Sequence, residues 1–189
     1  MQKYRQFIIL TILFIFWGCS TLKVSQDYDL KANLSVLQTY AWQSNTHKET
    51  GDVRVDNPLL HSRIRSAVDF YLLEKGYRKV SQGVPDFYVN YQYLVRSKVE
   101  SDNIDGGVGF GFGTFGRHGG IGISTGGSVS TYDEGMVVID ILASGNKDLL
   151  WRGTGTRRIS QHSNPEETTK NVNNTVEKIL AQFPPQPKK

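Results

Sequence analysis

The chain has a single cysteine, Cys19, so no disulfide can form within it. No cluster of lysine and arginine interleaves with aromatics on one element, which removes the electrostatic footprint of a nucleic-acid binder. The four histidines, His47, His61, His118 and His162, are scattered, with no i, i+4 pair and no cysteine partner, so no metal site is expected. The apolar run Phe7 to Trp17 covers 11 residues, where about 20 are needed to span a hydrocarbon core. A permanent transmembrane anchor is therefore not the reading it supports.

What is present fits a single globular domain with a processing segment. The 189 residues suffice for one hydrophobic core, and 38% hydrophobic with 21% charged residues excludes both wholesale disorder and a multi-span membrane protein. The formal net charge is +4; without Lys3 and Arg5 it falls to near balance.

The opening MQKYRQFIILTILFIFWGCS has the organisation of an export signal: Lys3 and Arg5, then the apolar run, then Gly18 and Cys19. It resembles a bacterial lipobox, in which the cysteine thiol is diacylated, the peptide is cut before it and the new N-terminus is acylated. Two or three acyl chains, each contributing about 0.8 kcal/mol per buried CH₂, anchor stably where one does not. Phe16 and Trp17 stand where the lipobox usually has Leu and a small residue. Ser20, rather than Asp, follows the cysteine. By the same resemblance this favours the outer membrane, with the domain facing the periplasm.

Helices are punctuated clearly. Asn57-Pro58 supplies an N-cap and an N1 proline, and Leu60, Ile64, Ala67, Val68, Tyr71 and Leu72 then form one apolar stripe ending at Gly76. Asn164-Pro165-Glu166-Glu167 repeats the grammar, with Val172, Val176, Ile179, Leu180 and Phe183 on one face and Pro184-Pro185 as a stop. Strands are predicted as two strands or one broken strand over Leu22 to Gln43, then from Pro85 to Ser101 and from Met136 to Leu142. A last strand from Leu149 to Ser160 follows the turn Ser144-Gly145-Asn146. The expected fold class is α+β, an antiparallel-rich sheet with two helices packed on one face and a long Gly-rich hairpin or loop. The expected boundaries are a signal peptide over 1–18, a tether over 19–23, one domain over 24–185 with an insertion over 105–130, and a tail over 186–189.

The insertion holds 11 glycines between Gly106 and Gly127, and with them two borrowed spellings. Gly111-Phe-Gly-Thr-Phe-Gly116 reads GxGxxG, but no helix follows to present its amides to a pyrophosphate, so no nucleotide and no other cofactor is expected. Gly122-Ile-Ser-Thr-Gly126 reads GxSxG, and Ser124, Asp140 and His162 occur in the order of an α/β-hydrolase triad. The helix that buttresses the serine and the βαβ alternation are both missing. A small envelope serine hydrolase using Ser124 stays as the alternative to a non-catalytic domain. In the tract itself, Phe110, Phe112, Ile121 and Ile123 share a parity within their segments. The tract is either an open loop or a hairpin whose ridge docks a strand, a protein partner or the membrane interface. Asp140, among apolar neighbours, is expected to face solvent or to pair with Arg152 or Arg157 across the hairpin. Trp42 and Trp151 are expected in the core.

Six blocks in order carry a resemblance: Tyr40-Ala-Trp42, Leu73-Glu-Lys-Gly-Tyr77, Pro85-Asp-Phe-Tyr-Val-Asn-Tyr91, Gly135-Met-Val-Val-Ile-Asp-Ile141, Leu149-Leu-Trp-Arg-Gly153 and Ile179-Leu-Ala-Gln-Phe-Pro-Pro185. Together they resemble the DUF4136 family (domain of unknown function) of bacterial lipoproteins. The resemblance implies export and lipid anchoring, and it brings no catalytic residues with it.

Overall fold

The computed structural model describes residues 22–44, 50–101, 129–160 and 164–185. Helix α1, Pro58–Glu74, starts where Asn57 accepts hydrogen bonds from the amides of Leu59 and Leu60, satisfying two donors that lack helical partners. It ends in a Schellman pattern: Gly76, at φ +89°, donates to Leu73 O and Tyr77 donates to Leu72 O. Helix α2, Pro165–Leu180, is capped by Asn164, which accepts from Glu167 N at 2.7 Å. Its last helical residue is Leu180, so Phe183 enters the core from the segment after the helix.

The described residues form six strands, β1 (Lys23–Tyr28), β2 (Thr39–Trp42), β3 (Arg78–Lys79), β4 (Phe87–Ser101), β5 (Val129–Ala143) and β6 (Leu149–Arg158). They form one sheet in the order β1-β6-β5-β4-β2-β3. The pairs β1–β6, β6–β5 and β5–β4 are antiparallel, while β2 runs parallel to both β3 and β4. The sheet is thus mixed, though mostly antiparallel. The stretch from Leu22 to Gln43 gives two strands, joined through a 3₁₀ turn at Leu34–Val36 and placed on opposite sides of β4–β6. Strand β3 was not expected; its two residues are exposed and carry no apolar signal.

Strands β4 and β5 pair continuously from Phe87↔Ala143 to Ser101↔Val129. Strand β6 accompanies β5 only as far as Arg158↔Glu134, and β2 accompanies β4 only along Phe87 to Val89. The outer ends of β4 and β5 therefore project as a two-stranded arm. In the β5–β6 turn the left-handed residue is Lys147 at φ 60°, not Gly145.

The alternation predicted for β4 is realised. Phe87, Val89 and Tyr91 lie in one core with Val137, Ile139 and Ile141 of β5, Trp151 of β6 and Tyr40 of β2. Both helices bury their stripes in that core, through Ile64, Ala67, Val68 and Leu72 of α1 and Val172, Val176, Ile179 and Leu180 of α2. Phe183 is fully buried against Trp151, Phe87 and Tyr77, with ring centroids 5.1, 6.0 and 5.5 Å away. Glycine on β6 permits this packing. A Cβ at Gly153 would sit 2.2 Å from the Trp151 ring and 2.5 Å from Ile179 Cγ2. One at Gly155 would sit 2.8 Å from Thr175 Cγ2. Helix α2 and the indole thus occupy the space that side chains on β6 would fill.

Candidate functional site

Three polar constellations stand out from the apolar frame. The first joins α1 to β2. Asp69 of α1 accepts from the Tyr40 hydroxyl (2.8 Å), Trp42 Nε1 (2.9 Å) and Lys79 Nζ (2.8 Å). Burial, and then the Asp69 carboxylate, push the Tyr40 hydroxyl well above the ordinary tyrosine pKa. The Arg65 guanidinium lies 4.4 Å over the Trp42 ring, and Trp42 meets Tyr91 edge-on at 5.8 Å. The Tyr91 hydroxyl is 2.9 Å from His61 Nδ1. The spelling Tyr-Ala-Trp thus puts two donors on one face of β2, two residues apart, where a single helical carboxylate receives both.

The second is a groove where the N-terminal halves of both helices meet the sheet. Its inner part, a cavity of about 80 Å³, is lined by Leu60, Tyr93, Val137, Arg157, Thr168 and Val172 among others. That is room for about two or three waters at their share of liquid volume. Its outer part reaches Arg54, Arg63 and Asp133. Gly135 makes the floor: a Cβ there would meet the Tyr93 hydroxyl at 2.7 Å. Arg157 shares parity with Trp151, Gly153 and Gly155, so its side chain turns toward α2. There Nη1 donates to Asn171 O at 2.9 Å, and Nε has no hydrogen-bond partner among the described residues. Burial pushes the Arg157 pKa down, with Glu167 opposing. At the mouth, Asp133 accepts from Ser97 Oγ (2.6 Å) and from Arg54 Nη1 (2.8 Å). These bonds hold its carboxyl below the usual carboxylate range.

The third lies on the opposite face of the sheet. Asp140, only 3% exposed, receives Arg152 through two bonds, Nε to Oδ1 at 2.7 Å and Nη2 to Oδ2 at 2.9 Å. The pairing is cross-strand, Asp140 standing opposite Arg152 in the β5–β6 register. Of the two arginines anticipated for this acid, Arg152 is the partner, and Arg157 points through the other face.

Of the residues singled out in the sequence, Cys19, Phe110, Phe112, Ile121, Ile123, Ser124, His47, His118 and His162 lie outside the described residues. Asp140 has both oxygens engaged by Arg152, and His61 belongs to the α1–β2 constellation. Trp151 is fully buried as expected and donates its indole N–H to Gln26 at 2.8 Å, while Trp42 is half-buried. Among the described residues no three His, Cys, Asp or Glu side chains are grouped to hold a metal ion. Nor, among them, is any helix long and apolar enough to cross a membrane. The groove was missed at the sequence level. Its signal was Arg157, a charged residue at a position whose parity on β6 belongs to the core.

The chain belongs to the DUF4136 family, a domain of unknown function whose family model matches residues 24–185. No curated protein matches it. Among solved structures it is similar to a PDZ domain protein from Parabacteroides distasonis (TM-score 0.51, 10% identity), with 89% of this chain covered. The chain spans only 36% of that protein's length, and the likeness concerns the fold. It is also similar to a PelC dodecamer from Paraburkholderia phytofirmans, at TM-score 0.46 and 15% identity over 85% of this chain and 95% of that one.

Proposed function

We propose that the protein is an outer-membrane lipoprotein, anchored through lipid on Cys19, whose periplasm-facing domain is a non-catalytic binding or structural module of the cell envelope. The observation that carries this reading is the position of Cys19. It closes an apolar run behind a positive n-region and stands four residues before the first strand at Lys23. Export with lipid anchoring is also what the family resemblance implies.

The non-catalytic part is supported by how the acids of the described residues are used. Asp69 and Asp140 each accept bonds that tie one element to another; the hydroxyl beside Asp69, that of Tyr40, has its pKa raised, which opposes its use as a nucleophile, and Asp140 is engaged by Arg152. The competing class, a serine hydrolase using Ser124, rests on motif order alone.

Metabolic labelling with a fatty-acid analogue tests the anchor. Wild type is expected to carry label and Cys19→Ala to carry none, and an unlabelled wild type refutes the lipoprotein reading. Assay of wild type and Ser124→Ala on generic ester and peptide substrates tests the module. Hydrolysis by wild type that disappears in Ser124→Ala would replace this reading with the hydrolase.

A further inference from the structure

The tether is short, and the sheet has two unlike surfaces beside the point where it enters. From Cys19 to Lys23 the chain can reach at most about 14 Å when fully extended. Lys23 pairs with Thr156, Thr156 with Met136, and Met136 with Leu94, so these four form one rung across the sheet. From that rung β4 runs on to Ser101, a further seven residues or about 23 Å. An acylated Cys19 therefore keeps β1 within a tether's length of the bilayer, and the arm is long enough to reach the bilayer from there.

Two surfaces flank β1, and their charges differ. On the sheet face turned away from the helices, the rung and the arm carry Lys23, Arg96, Lys98 and Arg158 against Glu134 and, at the same strand parity, Glu100. Glu134 is paired with Lys98 at 2.9 Å. Tyr132 shares this face, with the Arg158 guanidinium 4.3 Å over its ring. An aromatic ring beside cations is the composition of a membrane–water interface. On the other side, α2 contacts β1 and carries Glu166, Glu167 and Glu177 against Lys170 and Lys178. An anionic bilayer attracts the first surface, by about 1 kcal/mol per Lys or Arg near it, and repels the second.

We propose that the sheet face bearing Lys23, Arg96, Lys98, Arg158 and Tyr132 lies against anionic lipid headgroups, leaving α2 turned toward the periplasm. This rests on lipid anchoring at Cys19. The orientation follows from the tether's entry point together with the sign of the charge on either side of it.

Cysteine scarcity makes the test clean, because the lipid consumes the one native thiol. Full-length lipidated protein is reconstituted into phosphatidylethanolamine–phosphatidylglycerol vesicles with a single spin label at Ser130→Cys on the arm or at Asn173→Cys on α2. Mass spectrometry of each sample confirms the acyl chains. The label at 130 is expected to be shielded from a water-soluble relaxation agent and the label at 173 to be fully accessible. Equal accessibility, or the reverse order, in protein that does carry lipid overturns the orientation and leaves the anchor standing. Absence of acyl chains on Cys19 overturns both, and the mass spectrum distinguishes the two failures. In Arg96→Glu/Lys98→Glu, with its circular dichroism unchanged, shielding at 130 should be lost. Shielding that persists there, or that is as strong in phosphatidylcholine vesicles, refutes the electrostatic basis.

Discussion

Replacing Gly153 by alanine tests whether α2 and the sheet are as closely fitted as the geometry requires. The added methyl would lie 2.2 Å from the Trp151 ring and 2.5 Å from Ile179 Cγ2, both far inside van der Waals contact. Neither neighbour has room to move. Trp151 and Ile179 are fully buried, the indole is held by Gln26 at 2.8 Å, and its ring packs 5.1 Å from Phe183. Overpacking of this kind costs about 1–3 kcal/mol, with two severe contacts placing it at the upper end. Alanine recovers about 0.5–1 kcal/mol of backbone entropy lost by glycine, leaving a net destabilisation of about 2 kcal/mol. With a urea m-value near 2 kcal/mol/M, the midpoint should fall by about 1 M with the slope unchanged. Gly145→Ala is the control, because nothing lies within 4 Å of its added Cβ, and it should stay within about 0.5 kcal/mol of wild type. Midpoints of Gly153→Ala and Gly145→Ala that coincide would refute the close approach of α2 to β6.

Truncating the Asp140–Arg152 pair should be asymmetric. Arg152→Ala strands a carboxylate that is 4% exposed and should cost about 3 kcal/mol, whereas Asp140→Ala leaves a 44% exposed guanidinium that water can serve and should cost less. Denaturation midpoints in the reverse order would contradict the burial assigned to Asp140. Asp86 accepts from the Thr39 hydroxyl and from the amides of Thr39 and Gln38, which lower its pKa. A depressed folded pKa contributes stability above the unfolded value near 3.9 that is lost as pH falls through the folded one. Asp86→Asn should therefore lose less stability than wild type between about pH 5 and pH 2, and parallel pH profiles of urea midpoint would argue against it. Asn164→Ala removes the acceptor for Glu167 N and should cost about 1 kcal/mol, with Asn164→Ser restoring most of it in thermal melts.

The parts of the fold legible in the sequence are those specified by neighbours along the chain. Both helices announce themselves through an Asn-Pro start and a stripe of period 3.6, and β4 through strict alternation from Phe87 to Tyr91. The rest depends on distant partners. Arg78–Lys79 becomes a strand only because β2 passes beside it, and Val129 to Gly135 pairs with β4 outside the core, where no apolar alternation is needed. The parallel placement of β2 is a matter of register across the sheet, invisible to local pattern. Asp140 was legible because β5 and β6 are neighbours in sequence and its surroundings are apolar. The groove was not, because Arg157 and Tyr93 come from strands separated by β5 and close against helices from both halves of the chain.

Among the described residues the first strand pairs only with β6, nearly the whole domain later. Contacts so distant in sequence are slow to form, since the intervening chain must be organised before the pair can close. A chain synthesised from its N-terminus therefore carries β1 unpaired until β6 has been made. Completion of the sheet at that edge is a late event, and it reports that the last half of the domain has folded.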